Sequence, residues 1–331
     1  MTTTQAWQYQ DANKGLENTL FLNKSAVAPS AESLRKGQIL VKVIAAAVNP
    51  ADYKLPEIGI VSRFFIKKPA TPGFDFCGRV LATHESDQGF SGGQLVYGAR
   101  SPFSEHGTLS QITIVPTSEC VPLPEGIDPY EAAAMGTAGQ TAYQALLAGK
   151  ATNGSRVFIN GGSGGTGTFG IQFAKALGSH VTTTCSKANV ELCQKLGADF
   201  VFDYKKVDVI SELEKSGEGF DIVVDNVGTS GLYESCHRFV KPGGIFLQVN
   251  FNLNAIRRSI LPAWLGGGRR QYKIVGLKTK TEDLDQLAEW LKEGKVKPVV
   301  QTYEWEDAPK AYTKLKSGRT VGKIVFRVPD S

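Results

Sequence analysis

The sequence predicts an α/β fold in which a doubly wound parallel sheet is inserted in a mostly β domain. Three observations predict it. An apolar run, Arg156 to Asn160, ends in the glycine turn Gly162-x-Gly164-x-x-Gly167 and opens at once into a helical pattern. From there strand and helix patterns alternate through Leu277. Before this region short strand patterns predominate, with turn residues between them, and strand patterns recur in the tail after a helix.

Taken in order, Gln38 to Val48 is a long strand pattern. It breaks at Asn49-Pro50-Ala51-Asp52-Tyr53-Lys54, where proline ends the ladder and polar groups are presented. A second break, Pro72-Gly73-Phe74-Asp75-Phe76-Cys77-Gly78, precedes a strand from Arg79 to Thr83. Further short strands fall at Gly93 to Gly98 and Gln111 to Pro116, a spacing that predicts a partly open β-barrel. From Pro129 the periodicity turns helical: Tyr130 to Met135, a glycine step at Gly136-Thr137-Ala138-Gly139, then Gln140 to Leu147.

Parallel strands are expected at Arg156 to Asn160, His180 to Cys185, Phe200 to Phe202, Ile222 to Asp225, Gly244 to Val249 and Ile274 to Leu277. A helix from Thr168 to Leu177 puts Phe169, Phe173 and Leu177 on one face before Gly178 closes it. The tail holds a helix, Glu282 to Lys292, a strand at Thr302 to Trp305, and Gly322-Lys323-Ile324-Val325-Phe326. It is expected to return to the N-terminal domain, giving domains of 1–128 plus 281–331 and 129–280.

A lone G-x-G-x-x-G is weak evidence, because 36 glycines make chance matches easy. Between a strand and a helix it is much stronger. One glycine permits a tight turn, one lets a pyrophosphate lie against bare backbone, and one lets the helix pack close to the strand. Unpaired N–H groups at the helix start then favour an anion. The nucleotide is selected about 20 residues further on, where a carboxylate would hold the ribose 2′-hydroxyl of NAD. Here the run is Thr183-Thr184-Cys185-Ser186-Lys187-Ala188-Asn189, with no carboxylate. A serine hydroxyl and a lysine suit a 2′-phosphate, so NADPH is expected. Ser186 as a helix cap and Lys187 as a solvated surface charge are the plainer alternatives.

Composition bounds the class. With 331 residues two domains are expected, and 41% hydrophobic with 21% charged residues is the balance of a soluble globular protein. No segment approaches the roughly 20 apolar residues that a bilayer crossing needs. The start, Met1-Thr2-Thr3-Thr4-Gln5-Ala6-Trp7, has no leader-like pattern, so a cytoplasmic location is expected. A net charge of +5, from 37 basic and 32 acidic residues, suits an anionic cofactor and is too diffuse to argue for nucleic acid. Five cysteines, odd in number and without a C-x-x-C pair, fit reduced thiols and speak against a disulfide framework or a thiolate zinc site.

Over nearly its whole length the chain resembles the medium-chain dehydrogenase/reductases of the zinc-free quinone oxidoreductase type. The matching residues are Ala47-Val48-Asn49-Pro50-Ala51-Asp52, Pro72-Gly73-Phe74-Asp75, Ala132-Ala133-Ala134 with Thr137-Ala138-Gly139-Gln140-Thr141-Ala142-Tyr143, the glycine turn, Leu196-Gly197-Ala198-Asp199, Phe220-Asp221 with Asp225-Asn226-Val227-Gly228, and Gly322-Lys323-Ile324-Val325. The chain is most similar to chloroplast-envelope quinone oxidoreductase homologues, enone oxidoreductases and mitochondrial reticulon-interacting reductases.

The resemblance implies a Rossmann domain set in a GroES-like catalytic domain. Where zinc alcohol dehydrogenases of the superfamily place Cys, His and Cys on catalytic zinc, the matching positions are Asn49, Phe74 and Thr137, none a thiolate or imidazole ligand. No metal is therefore expected, and alcohol oxidation, which needs a Lewis acid, is disfavoured. Hydride transfer to an electrophilic carbon of an enone, enal or quinone remains.

The same resemblance implies that Ser163, Gly165 and Thr166, with Gly162, Gly164 and Gly167, hold the pyrophosphate. It places Ser186, Lys187 and Tyr204 at the 2′-phosphate and adenosine, with Asn226 and Val249 near the ribose and nicotinamide; Thr137 joins this cofactor set. Asn49 and Lys54 are the candidate donors to the substrate oxygen, facing a cleft between domains, and Tyr53 is the neighbour able to stack or donate. Plainer roles stay open: Asn49 as a turn cap, Lys54 as a surface lysine, Tyr204 as a packed aromatic. Asp225 reads as structural, satisfying backbone N–H groups at a strand end.

The partner expected is a small apolar carbonyl or quinone, with the chain a monomer or homodimer. An apolar and basic segment, Phe251 to Arg270, reads as a lid, a subunit edge or a peripheral membrane contact. Alternatives for the whole protein are an enoyl reductase or tailoring oxidoreductase of a biosynthetic pathway, or a regulatory protein that binds NADPH without turnover.

Overall fold

The computed structural model describes residues 2–58, 66–85, 89–101, 106–217, 219–228, 231–249, 258 and 270–330. By contacts the chain divides into two compact units, Met1–Gln140 with Lys278–Ser331, and Thr141–Leu277. The sequence reading sets the first boundary at 128/129, where the periodicity changes. Contacts divide the chain inside the helix that starts there, because its first half packs on the strands before it.

In unit 1 the chain runs through β1 (Thr3–Gln8), α1 (Leu16–Thr19), β2 (Phe21–Val27), β3 (Gln38–Val48), α2 (Pro50–Lys54), β4 (Asp75–Thr83), β5 (Leu95–Ala99), β6 (Ile112–Pro116) and β7 (Cys120–Pro122). Helix α3 (Pro129–Ala148) crosses the boundary. Unit 2 holds β8 (Arg156–Asn160), α4 (Gly165–Ala176), β9 (His180–Cys185), α5 (Val190–Lys195), β10 (Phe200–Asp203), α6 (Val209–Lys215), β11 (Phe220–Asp225), β12 (Val240–Gln248) and β13 (Gln271–Ile274). The chain then returns to unit 1 with α7 (Thr281–Lys292), β14 (Val300–Tyr303), α8 (Ala308–Lys316) and β15 (Lys323–Arg327).

Unit 1 is built on a sheet of order β14-β15-β3-β4-β5-β7, with β6 paired to β3 and a separate β1-β2 hairpin sheet. The C-terminal strand β15 lies antiparallel to β3, with Ile324 opposite Val48, while β4 pairs on the other side of β3, with Asp75 opposite Ala47. The two pairings flank the end of β3 with Lys323 on one side and Asp75 on the other. The core beneath gathers Trp7, Tyr9, Phe76, Trp305, Tyr312 and Phe326.

Unit 2 is a parallel sheet of order β10-β9-β8-β11-β12-β13. The first strand in sequence is central and the order reverses beside it, the arrangement that opens a crevice at the carboxyl ends of the strands. Phe158, Phe220, Phe239 and Phe246 fill one side of this sheet. The last strand forms at Gln271–Ile274, ahead of the expected Ile274 to Leu277, because its partners on β12 are Ile245 to Gln248.

Helix α3 corrects one expectation. It is continuous over 20 residues, with no step at Gly136 to Gly139. Gly136 is there for close approach: a Cβ on it would stand 2.7 Å from both Asp75 Oδ1 and the Gly98 carbonyl oxygen. All five cysteines are buried and none forms a disulfide. Among the described residues no helix is long and apolar enough to cross a membrane. The segment 251–270 lies outside the described residues except for Arg258 and Arg270. The buried Arg258 guanidinium bonds Gln248 Oε1 at 3.2 Å and pairs with Glu234.

Gly136→Ala tests the close approach. Inside a helix this exchange ordinarily stabilises by about 1 kcal/mol. Here overpacking against fixed backbone should reverse the sign, for a net loss of roughly 1–3 kcal/mol in urea unfolding.

Candidate functional site

In unit 1 the break after β3 becomes α2, a single helical turn. Asn49 is its N-cap in a capping box with Asp52, whose carboxylate accepts from the Asn49 backbone N–H, and Pro50 opens the helix. Asn49 Nδ2 donates to Asp75 Oδ2 at 2.8 Å. Asp75 Oδ1 accepts from Thr137 twice, from its backbone N–H at 2.7 Å and its hydroxyl at 2.5 Å. The Lys323 ammonium reaches Asp75 Oδ2 at 3.0 Å, Asn49 Oδ1 at 2.5 Å and the Val48 carbonyl at 3.0 Å. Asp75 is fully buried and Lys323 is 4% exposed, so this is a desolvated ion pair with its hydrogen-bonding capacity taken up.

The sequence reading names Asn49 and Thr137 and misses the two charges that join them. It names Phe74 only as the position that matches the zinc-ligand histidine, whereas the neighbouring Asp75 carboxylate is the group that reaches both. The available signals were a carboxylate and a lysine at the starts of apolar strand patterns. They gain meaning only once β4 and β15 are known to flank β3.

Lys54 ends α2 as an exposed residue, with its pKa lowered by desolvation. Tyr53 lies apart from the Asp75 network. It packs on the unit 1 core, its ring 5.5 Å from Lys316 Nζ, which pairs with Glu17 and Glu57, and desolvation raises its pKa. Asp52 is buried beside a cavity of ≈ 20 Å³ that Tyr9, Phe74 and Gly73 also line. Among the described residues its Oδ1 has no partner. Burial pushes its pKa up to about 8; Asp75 raises it further, and Lys323 and the N–H bonds oppose the rise.

In unit 2 the glycine turn follows β8 as expected, and α4 begins at Gly165, three residues earlier than the periodicity suggests. A Cβ on Gly167 would stand 2.1 Å from the Gly161 carbonyl oxygen and one on Gly162 2.1 Å from Thr183 Oγ1, so these two glycines permit contact between helix, turn and sheet. Gly164 has no such crowding and caps α4 without a side-chain bond, leaving bare backbone at the helix start.

Asn189 Nδ2 bonds Ser163 Oγ at 3.1 Å and Ser186 Oγ at 3.4 Å, which draws the glycine turn and the end of β9 together. Lys187 and Tyr204 are exposed at the same end of the sheet, and the Tyr204 N–H donates to the Cys185 carbonyl. The sequence reading passes over Asp203, opposite Cys185 in the strand register. Its carboxylate is turned onto the Lys205 N–H.

Asp225 Oδ1 accepts from Asn160 Nδ2 and from the Val227 and Gly228 N–H groups, the structural role read from its place at a strand end. Val249 sits beside it, its N–H on the Asp225 carbonyl. Among the described residues Asp225 Oδ2 and both amide atoms of Asn226 are buried with no partner. Each such atom costs about 1–3 kcal/mol unless something satisfies it. A dinucleotide fits this crevice: it brings hydroxyl and carboxamide groups for the unpaired atoms and phosphates for the uncapped helix start. Gly162 to Gly167, Ser163, Ser186, Lys187, Tyr204, Asn226 and Val249 therefore converge on one end of one sheet, while Thr137 belongs to the Asp75 cluster of unit 1. Among the described residues no group of three or more His, Cys, Asp or Glu side chains could hold a metal ion.

Comparison with known proteins agrees with this architecture. Residues 35–125 match the family model of the alcohol dehydrogenase GroES-like domain, and residues 196–326 that of a zinc-binding dehydrogenase. A trans-enoyl reductase of Aspergillus terreus is 44% identical over 348 residues, covering 100% of this chain and 98% of the relative. The chain belongs to the medium-chain dehydrogenase/reductase superfamily, in its quinone oxidoreductase-like branch. A 2-methylene-furan-3-one reductase of Solanum lycopersicum is 30% identical, covering 97% of this chain and 78% of the relative. The solved quinone oxidoreductase of Coxiella burnetii superposes with a TM-score of 0.88 at 28% identity, covering 99% of this chain and 100% of that one. The chain is thus an oxidoreductase of a superfamily whose members bind a nicotinamide cofactor.

Asp52 makes stability depend on pH. Its folded pKa of about 8 lies above an unfolded value of about 4, so between these the folded state holds the extra proton and stability falls as pH rises. Asp75, Lys323, Tyr9 and Tyr312 are the ionisable groups around it. Urea midpoints for Asp52→Asn should fall less than wild type between pH 5 and pH 8.5. Parallel pH profiles for the two proteins would remove Asp52 as the cause.

Proposed function

We propose that the protein is an NADPH-dependent reductase of α,β-unsaturated carbonyls or quinones that works without zinc. The observation that carries the NADPH reading is the end of β9, where Ser186, Lys187 and Asn189 stand in place of a carboxylate and Asn189 ties Ser186 to Ser163 of the glycine turn. A hydroxyl and an ammonium are donors a 2′-phosphate can use, and a carboxylate would repel it.

When bound, the reduced nicotinamide supplies a hydride, which adds two electrons to the acceptor. The chain's own residues do the rest. The glycine turn and the uncapped α4 hold the pyrophosphate, and Asn226 and the neighbouring Val249 position the nicotinamide half. An amide N–H of Asn49 and the Lys54 ammonium are the donors for the oxygen that gains negative charge, and donors fixed in advance lower that barrier. The lowered pKa of Lys54 makes it a better proton donor to the enolate than an ordinary lysine. The charge inside the Asn49–Asp75–Thr137 cluster is already balanced by Lys323, which supports chemistry without a metal.

The trans-enoyl reductase relative favours a second reading within the same chemistry, an enoyl reductase that serves a biosynthetic pathway. NADPH oxidation with a panel of quinones, enones and enoyl thioesters separates the two. Tight NADPH binding without reduction of any acceptor would favour a regulatory nucleotide-binding protein. Ser186→Asp should move the preference toward NADH, read as the ratio of kcat/KM for the two nucleotides; an unchanged ratio refutes the 2′-phosphate assignment. Lys54→Ala should lower kcat by about 100-fold or more while NADPH still binds. Wild-type turnover in that variant removes Lys54 from the site.

A further inference from the structure

Lys323 has three ammonium protons and three acceptors: the Val48 carbonyl, Asn49 Oδ1 and Asp75 Oδ2. Nothing of it is left to touch a ligand. Asp75 is likewise occupied, Oδ1 by Thr137 and Oδ2 by Asn49 and Lys323. A buried ion pair is weak evidence for stability, because desolvating two charges costs as much as their attraction returns. The effect of this one is legible at Asn49. The ammonium bonds the amide oxygen and the carboxylate bonds one amide proton, which settles which end of the carboxamide is which. Among the described residues the second Nδ2 proton of Asn49, a buried side chain, has no acceptor. An ammonium on the oxygen withdraws electron density from the amide and makes that proton a stronger donor, by the polarisation that strengthens linked hydrogen bonds in a low-dielectric site.

We propose that Lys323 is a positioning residue: its ammonium locks and polarises the Asn49 carboxamide, so that the remaining Nδ2 proton serves as the hydrogen-bond donor to the enolate or quinol oxygen. This rests on the reductase reading for the identity of the acceptor. The lock itself does not depend on that reading. Asn49 is then the group that meets the substrate, and Lys323 is an internal cation that acts only through it. The site thereby carries its positive charge on a side chain.

Removing Lys323 alone would strand Asp75 as a buried anion, so the decisive variant is the charge-neutral pair Lys323→Met with Asp75→Asn, made in the full chain. Lys323→Met alone should unfold at a lower temperature, and the double variant should regain most of the loss. In the double variant NADPH affinity, measured by fluorescence titration, should stay within about twofold. With an enone, kcat should fall by about tenfold or more at nearly constant KM, the pattern of a donor weakened in the transition state. Wild-type kcat in a folded double variant would show that Lys323 only balances Asp75 and would overturn the proposal.

An NMR readout is independent of turnover. The two Nδ2 protons of Asn49, assigned by their loss in Asn49→Ala, should resonate far apart and exchange slowly in the wild type, then converge in the double variant. Unchanged signals overturn the proposal. A wild-type chain that reduces no acceptor sinks the reductase reading, and these signals still decide the lock.

Discussion

The buried pair of Asp75 and Lys323 is the constraint on which the organisation of unit 1 depends. It joins segments far apart in sequence: the end of β3, the start of β4, α3 at Thr137 and the C-terminal strand β15. The pair is possible because β15 and β4 lie on either side of β3, in registers that bring both residues level with its end. Gly136 lets α3 come close enough for Thr137 to donate to Asp75 with both its backbone and its hydroxyl. The C-terminal strand is therefore part of the candidate site as well as part of the sheet.

Unit 2 solves a different problem. Its crevice keeps some groups unsatisfied: an uncapped helix start, both amide atoms of Asn226 and one oxygen of Asp225. Several polar groups beside them are tied down. Asn160, Thr184, Asp225 and Asn189 bond to one another or to nearby backbone and serine groups, so the open positions stand on a rigid edge. In unit 1 the polar groups around Asp75 bond to one another, apart from one Nδ2 proton of Asn49.

Much of this fold can be read in one dimension. The strands at Gln38–Val48 and Arg156–Asn160 have the bounds that their largely apolar runs suggest, because glycine or proline stops each within two residues, and His180–Cys185 is legible from its β-branched Val181 and Thr182 to Thr184. The glycine turn is equally visible, since its function is local and needs only three bare positions. The glycines of α3 mislead for the same reason. Local propensity reads Gly136 as a break, whereas the contact that requires glycine comes from Gly98 and Asp75, each well over thirty positions earlier in the chain. The apparent strand at Ile274 to Leu277 is displaced because a parallel register is set by the neighbouring strand.

The candidate sites divide along the same line. Sequence alone determined the α/β class, the glycine turn and its helix, the missing carboxylate after β9, and the polar break at Asn49 to Lys54, since each is a pattern within a short stretch. Tertiary structure alone decided that Asn49 and Thr137 meet through Asp75, that Lys323 supplies the charge between them, that Tyr53 packs beside Lys316, and that Asn189 bridges two serines. The physical reason is distance along the chain. A hydrogen bond between residues 248 positions apart, as in Lys323 to Asp75, leaves no local trace except a charged residue in an apolar strand, and only the pairing of the strands tells which charge it answers.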